Sequence, residues 1–272
     1  MTISAADIET WRGAIGRSAE RRQLLDVESA RRFAVAIGAD PDVERTPPPF
    51  EQWAWFLEAA PDSEIGADGH PKRGRFLPAV SLPRRMFASA SVAFEAPLVL
   101  DRMAQLDLRI ADVAHKSGSS GDLVFVKVDR TLTQDGRVRI RERQTLVYRE
   151  SGDAVPLPEV SLQVEDGELW TPSPVNLFRF SAVTFNSHRI HYDAAYTREV
   201  EGYPALVVQG PFVASKLALL AAQDGEIAAL EFRAQAPLFV DQPVRLLRVA
   251  PGVFHALRCD GAVATILKAE YR

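Results

Sequence analysis

The chain has 272 residues, 47% hydrophobic and 25% charged, enough for a sizeable core in one or two domains. A formal net charge of −4 argues against a nucleic-acid partner, and no apolar run approaches the roughly 18 residues of a membrane span. The opening residues lack the basic and apolar regions of a signal peptide, and the single Cys259 permits neither an intrachain disulfide nor a metal-type cysteine cluster. A soluble, cytoplasmic protein is expected, with Cys259 a buried small hydrophobe on a strand.

In chain order, residues 26–37 form an amphipathic helix closed by Gly38, and residues 83–90 are predicted as a second, shorter helix. Next comes Ala96-Pro97-Leu98-Val99-Leu100-Asp101, a hexapeptide repeated 140 residues later as Ala236-Pro237-Leu238-Phe239-Val240-Asp241. Each copy precedes alternating, β-branched runs that read as strands: 106–113, 122–133 and 138–148, then 244–249, 253–258 and 262–269. Asp135-Gly136 and Asp260-Gly261 supply hairpin turns, in which both central residues are expected at positive φ. Residues 151–158, rich in Pro, Gly and Ser and continued by 165–174, divide the chain into halves 1–155 and 156–272. In the second half, Pro211 opens a helix over 212–222 with almost no polar face, which marks it as buried. A helix followed by antiparallel strands, twice over, predicts an α+β fold: a double hot-dog, two curved sheets each wrapped on a central helix.

Two of only five histidines stand in Thr184-Phe185-Asn186-Ser187-His188-Arg189-Ile190-His191-Tyr192-Asp193, shortly before Gln209-Gly210-Pro211. Imidazole is the side chain best matched to proton transfer near neutral pH. The unpaired N–H groups at a helix start, here Gly210 and its neighbours, suit a developing oxyanion. His70, His115 and His255 read as turn or strand positions. Asp193 before Ala194-Ala195-Tyr196 reads as a helix N-cap.

The segment from Phe180 to Asp193, with Glu201-Gly202-Tyr203-Pro204 and Val207-Val208-Gln209-Gly210-Pro211, resembles the MaoC-like hydratases and dehydratases. It is most similar to their double-hot-dog branch, which includes hydroxyacyl-thioester dehydratases type 2 and the 3-methylfumaryl-CoA and itaconyl-CoA hydratases. Gly66-Ala67-Asp68-Gly69-His70-Pro71, Phe76-Leu77-Pro78, Leu82-Pro83-Arg84-Arg85-Met86 and Lys116-Ser117-Gly118 extend the resemblance into the first half, which looks like the branch's degenerate dehydratase domain. The second half looks like the MaoC-like domain proper. The family's motif runs Asp-x-Asn-Pro-(Leu/Ile)-His-x-Asp. Aligned on His191, it places Asn186 at the first Asp, His188 at the Asn, Arg189 at the Pro and Asp193 at the last Asp. An amide cannot take a proton, so the resemblance assigns proton chemistry to His191, helped by His188. Asn186 is left to orient water and Gly210 to bind the thioester oxygen.

The resemblance implies reversible hydration of a short 2-enoyl-CoA, of the branched C5-dicarboxylic kind, with no metal and no cofactor beyond the substrate's CoA. Arg73, Arg75, Arg84 and Arg85 are candidate ligands for CoA phosphates, and Arg189 for a free carboxylate on the acyl group. A homo-oligomer is compatible with the sequence. A (3R)-hydroxyacyl-thioester dehydratase of fatty-acid synthesis, a hot-dog thioesterase and a non-catalytic acyl-CoA-binding module remain alternatives, though Asn186 in place of Asp weakens the thioesterase reading.

Overall fold

The computed structural model describes residues 3–118, 121–152, 154–163 and 165–272; Asp153, within the expected linker, lies outside the described residues. Five α-helices, α1 (Ala5–Arg12), α2 (Val27–Ile37), α3 (Pro174–Thr184), α4 (Ala194–Glu199) and α5 (Gly210–Ala221), pack around strands. The strands are β1 (Ser18–Leu24), β2 (Arg84–Phe94), β3 (Met103–Gly118), β4 (Gly121–Gln134), β5 (Arg137–Arg149), β6 (Glu168–Trp170), β7 (Ile227–Ala234), β8 (Val244–Ala250), β9 (Val253–Leu257) and β10 (Val263–Tyr271). They form one antiparallel sheet in the order β1-β3-β4-β5-β2-β7-β10-β9-β8-β6. The order is palindromic about the β2–β7 pair, where Ser89–Ala93 runs against Ala229–Arg233. Among the described residues, no helix is long and apolar enough to cross a membrane.

The hexapeptide repeat occupies equivalent corners of the two half-sheets. Glu95 and Ala96 both donate to the Arg139 carbonyl (2.8 and 3.2 Å), as Gln235 and Ala236 both donate to that of Ala264 (2.8 and 3.2 Å). Asp101 (φ 54°) and Asp241 (φ 60°) then turn through the left-handed region. Their N–H groups donate to Leu25 and Pro172, the residues just before the N-caps Asp26 and Ser173 of α2 and α3. Thus α2 and α3 are counterparts. Asp26 caps α2 through the Ser29 N–H (2.8 Å), Gly38 (φ 82°) ends it, and Ala30, Phe33, Ala34 and Ile37 form its buried stripe.

The second half carries the expected central helix: α5 packs on β7 to β10 and buries Phe212, Val213, Ala214, Leu217, Ala218 and Ala221. The first half departs from expectation, because residues 83–90 are not a helix but the start of β2. Their local preference for helix is weak, and as the central strand β2 is hydrogen-bonded by β5 on one side and β7 on the other. Between α2 and β2 the chain forms only two single-turn 3₁₀ helices, Glu51–Ala54 and Asp62–Glu64. The first half-sheet therefore lacks a helix equivalent to α5. Asp135-Gly136 has positive φ at both residues, as predicted, whereas at Asp260-Gly261 only the glycine does, with Asp260 accepting from the Ala262 N–H (3.2 Å). Cys259 is buried as expected but lies just beyond β9 rather than on it.

Candidate active site

The chain leaves α3 through Phe185, whose left-handed backbone (φ 50°) caps the helix and swings residues 186–193 back across its end. α3 is itself fixed by Phe180, stacked on Phe212 of α5 with ring centroids 4.8 Å apart. Gln209 ties the start of α5 to α3 through Nε2, which donates to the Leu177 carbonyl and Ser181 Oγ (both 2.9 Å). The Asn186 N–H donates to Ser181 (2.8 Å) and its Oδ1 accepts from the His188 N–H (3.1 Å). With the amide oxygen engaged in the loop, Nδ2 is the donor left for a bound molecule. A 3₁₀ turn, Arg189–His191, follows, and Asp193 caps α4 by accepting from the Tyr196 N–H (3.0 Å), as read from the sequence.

The loop is clamped on both sides. Toward α5, the Val207 N–H donates to Ile190 (3.0 Å), and His191 Nδ1 lies 2.7 Å from the Val207 carbonyl. A carbonyl oxygen only accepts, so Nδ1 carries the proton and Nε2 keeps the lone pair. Toward the first half, Ser187 Oγ donates to the Gly69 carbonyl, the Arg189 N–H to that of Asp68 (2.9 Å) and Arg189 Nη1 to that of Ala67 (3.1 Å). This brings in His70, which the sequence reading set aside as a turn residue. Its ring lies 4.4 Å from His188, whose ring in turn lies 5.4 Å from His191, edge to face. The available signal was the pair of glycines around Asp68, which allows the tight loop that presents His70.

All three rings are neutral at physiological pH. Burial, opposed by the Val207 hydrogen bond, pushes His191 down to about 4. Burial, together with the charges of Arg85 and Arg73 and the repulsion His191 would exert if protonated, pushes His188 down to about 3, and burial, Arg85 and the other two rings hold His70 well below its usual value. An unfolded imidazole takes up its proton near 6.5. Between about pH 6.5 and 4 the unfolded chain therefore binds more protons than the folded one, and stability falls as pH drops, on the order of 3 kcal/mol for His191 alone. Glu51, pushed up to about 8 by burial, acts in the opposite sense: stability present below pH 4.5 is lost as pH rises through 8. Histidine-selective NMR should show these three rings unprotonated down to pH 5; titration of any of them near 6.5 would contradict their burial.

A cavity of about 340 Å³ opens beside this loop, over the part of the first half-sheet that has no central helix. Its apolar wall includes Trp53, Phe87, Leu108, Val128, Leu146 and Phe180, and its polar wall His70, Arg85, Asn186 and Ser187, with Pro211 at the start of α5. Of the three histidines, His70 lines the cavity itself, with the His188 ring 4.4 Å from it and the His191 ring 5.4 Å from His188. Among the described residues, the N–H groups of Gly210 and Phe212 have no acceptor. Crowding does not require glycine at 210, since an added Cβ would come no closer than 3.7 Å to the Phe87 carbonyl.

The arginines expected to bind substrate divide. Arg84 is buried in an ion pair with Glu201 (3.1 Å), lies over the Tyr203 ring and donates to the carbonyls of Glu201 and Gly152, so it presents nothing to a phosphate. Arg73 donates to the carbonyls of Val80 (2.7 Å), Leu82 and Pro83 (2.6 Å). Arg189 is bound to Asp193 (2.7 Å) and covers the Tyr196 ring, which removes it as a carboxylate ligand. These three are structural because each has backbone or carboxylate acceptors within reach. Arg75, largely exposed and 3.8 Å from Glu64, lies at the cavity edge, and Arg85 lines the cavity wall.

Residues 50–240 match the family described as hydroxyacyl-thioester dehydratase type 2. A mesaconyl-C(4)-CoA hydratase of Chloroflexus aurantiacus is 43% identical over 254 residues, covering 90% of this chain and 90% of its own. The mitochondrial hydroxyacyl-thioester dehydratase type 2 of Schizosaccharomyces pombe is 27% identical over 228 residues, 73% of this chain and 76% of its own. Among solved structures, a MaoC-like dehydratase from Phytophthora capsici aligns with a TM-score of 0.67 at 13% identity, covering 97% of this chain and 99% of its own. HtdX of Mycobacterium tuberculosis aligns with a TM-score of 0.67 at 14% identity, covering 94% and 100%. The double hot-dog expected from the sequence is the fold these structures share.

Proposed function

The chain belongs to the hydroxyacyl-thioester dehydratase type 2 family of MaoC-like hot-dog hydro-lyases, and from that premise we propose that it reversibly hydrates a short 2-enoyl-CoA of the branched C5-dicarboxylic kind, such as 3-methylfumaryl-CoA or itaconyl-CoA. The observation that carries this reading is the 43% identity, along 90% of both chains, to the relative named mesaconyl-C(4)-CoA hydratase. The cavity supports a short acyl chain, since about 340 Å³ is near the lower end of the range for small-molecule pockets.

In the proposed mechanism, His191 Nε2 takes a proton from water while the water oxygen bonds to Cβ. The double-bond electrons move through Cα onto the thioester oxygen, and the enolate then collapses by taking the proton at Cα back from the His191 imidazolium, so that one water is added overall and the base is restored. The Nδ1–H bond to Val207 stabilises the imidazolium formed in between. Asn186 orients the water, His188 backs the proton transfer, and the N–H groups of Gly210 and Phe212, reinforced by the α5 dipole, hold the enolate oxygen. The reaction needs no cofactor beyond the CoA carried by the substrate, so activity should survive dialysis against a chelator.

The test is absorbance at the enoyl-thioester band after mixing the protein with crotonyl-, itaconyl- and 3-methylfumaryl-CoA. Loss of absorbance without free thiol is the expected result. Thiol release would make the protein a thioesterase, and no change with any of the three would overturn the reading.

A further inference from the structure

Five cations line the cavity: Arg21, Lys72, Arg75, Arg85 and Arg130. Four have partners within the protein. Arg21 donates to the Phe56 carbonyl (3.0 Å) and lies near Glu58, Lys72 donates to the Ser63 carbonyl (2.8 Å), Arg75 lies 3.8 Å from Glu64, and Arg130 pairs with Glu142 (3.3 Å). Arg85 differs: its charge lies against the neutral Tyr148 hydroxyl, and among the described residues no carboxylate pairs with it. It is half-buried, faces Tyr148 across the β2–β5 ladder, and its charge is among those that depress His70 and His188. A half-enclosed guanidinium among imidazoles and next to Arg73, with no counter-ion, is a standing electrostatic cost that an anionic ligand would remove.

Its place along the sheet narrows the ligand. The ends of a four-carbon dicarboxylic chain lie roughly 4 Å apart, from bonds of about 1.5 Å. A cation holding the far carboxylate must therefore sit close to the groups acting on the thioester. Arg130 does not qualify: its ladder partner Glu142 is six residues along β5 from Tyr148, about 20 Å at strand spacing. We propose that Arg85 anchors the second, free carboxylate of the enoyl thioester beside the histidines and so selects dicarboxylic over monocarboxylic acyl groups. This rests on the hydratase reading of the same site.

The experiment compares kcat/KM for crotonyl-CoA with that for itaconyl- and 3-methylfumaryl-CoA in wild type, Arg85→Gln and Arg85→Lys. Wild type should prefer the dicarboxylic esters. Arg85→Gln should lower the dicarboxylic-to-monocarboxylic ratio about 100-fold, as expected for loss of a charge-assisted pair, with Arg85→Lys in between. An unchanged ratio overturns the proposal, and so does an equal fall on all three esters, which would place Arg85 against the CoA phosphates they share. Should Arg85→Gln not fold, inhibition of wild type by a saturated dicarboxylic acyl-CoA and by its methyl ester replaces it; equal inhibition constants overturn the proposal. A wild type that hydrates crotonyl-CoA without preferring dicarboxylic esters overturns this inference alone, whereas one that hydrates none of the three overturns the functional reading and this inference with it.

Discussion

Replacing His191 by alanine is expected to lower turnover of the best enoyl-CoA by about 10²–10⁴-fold, the range for loss of a positioned acid–base group. The expectation rests on its hydrogen bond to Val207, which leaves the Nε2 lone pair free, and on the burial that holds its pKa down to about 4, so that the ring is unprotonated and able to accept a proton across the physiological range. The ring acts mainly in the transition state, so kcat should carry the loss and KM should change little. The series His70, His188, His191 makes the comparison informative. His188→Ala and His70→Ala should leave more activity, because neither ring has a carbonyl fixing its tautomer among the described residues. Steady-state kinetics of the three variants checks this, and near-wild-type turnover by His191→Ala would remove it from the chemistry.

Gly69→Ala should have the largest effect on stability, about 2–4 kcal/mol, with activity lost as well. Gly69 sits at φ 86°, and a Cβ built there would lie 2.0 Å from the Ser187 carbonyl oxygen. That oxygen belongs to backbone, so no side-chain rotation relieves the clash. The loop has to back away, breaking the bonds from Ser187 Oγ to Gly69 and from the Arg189 N–H to Asp68 and drawing His70 off His188. Gly136→Ala is the matched control. It has a similar φ of 73° but nothing within 4 Å, so only the conformational cost of about 1 kcal/mol applies. Chemical denaturation of the two variants separates the effects; equal losses would mean that the contact between the halves is soft.

What the sequence determined by itself was local or repeated. The α2 helix is legible because its cap, its apolar stripe and its closing glycine lie within a dozen neighbouring residues, and α5 because a run with no polar face has to be buried. The hexapeptide repeat exposed the duplication because the same corner, with an Asp in the left-handed region, recurs in both half-sheets. The His188–His191 pair and its Asn186 were legible as a candidate site because they share one short loop.

Only the tertiary structure decided what depends on partners far along the chain. Residues 84–94 are a strand because β5 and β7, more than 40 residues away, supply the ladder on both edges. Arg84 became structural through Glu201, 117 residues on, Arg73 through a ring of backbone carbonyls, and Arg189 through the geometry of α4, which left Arg85 as the arginine on the cavity wall with no carboxylate partner among the described residues. His70 joined the other two rings because Gly69 lets its loop lie against Ser187, 118 residues later. A polar side chain's role is set by whichever acceptor folding brings within about 3 Å, and spacing along the sequence carries no record of that.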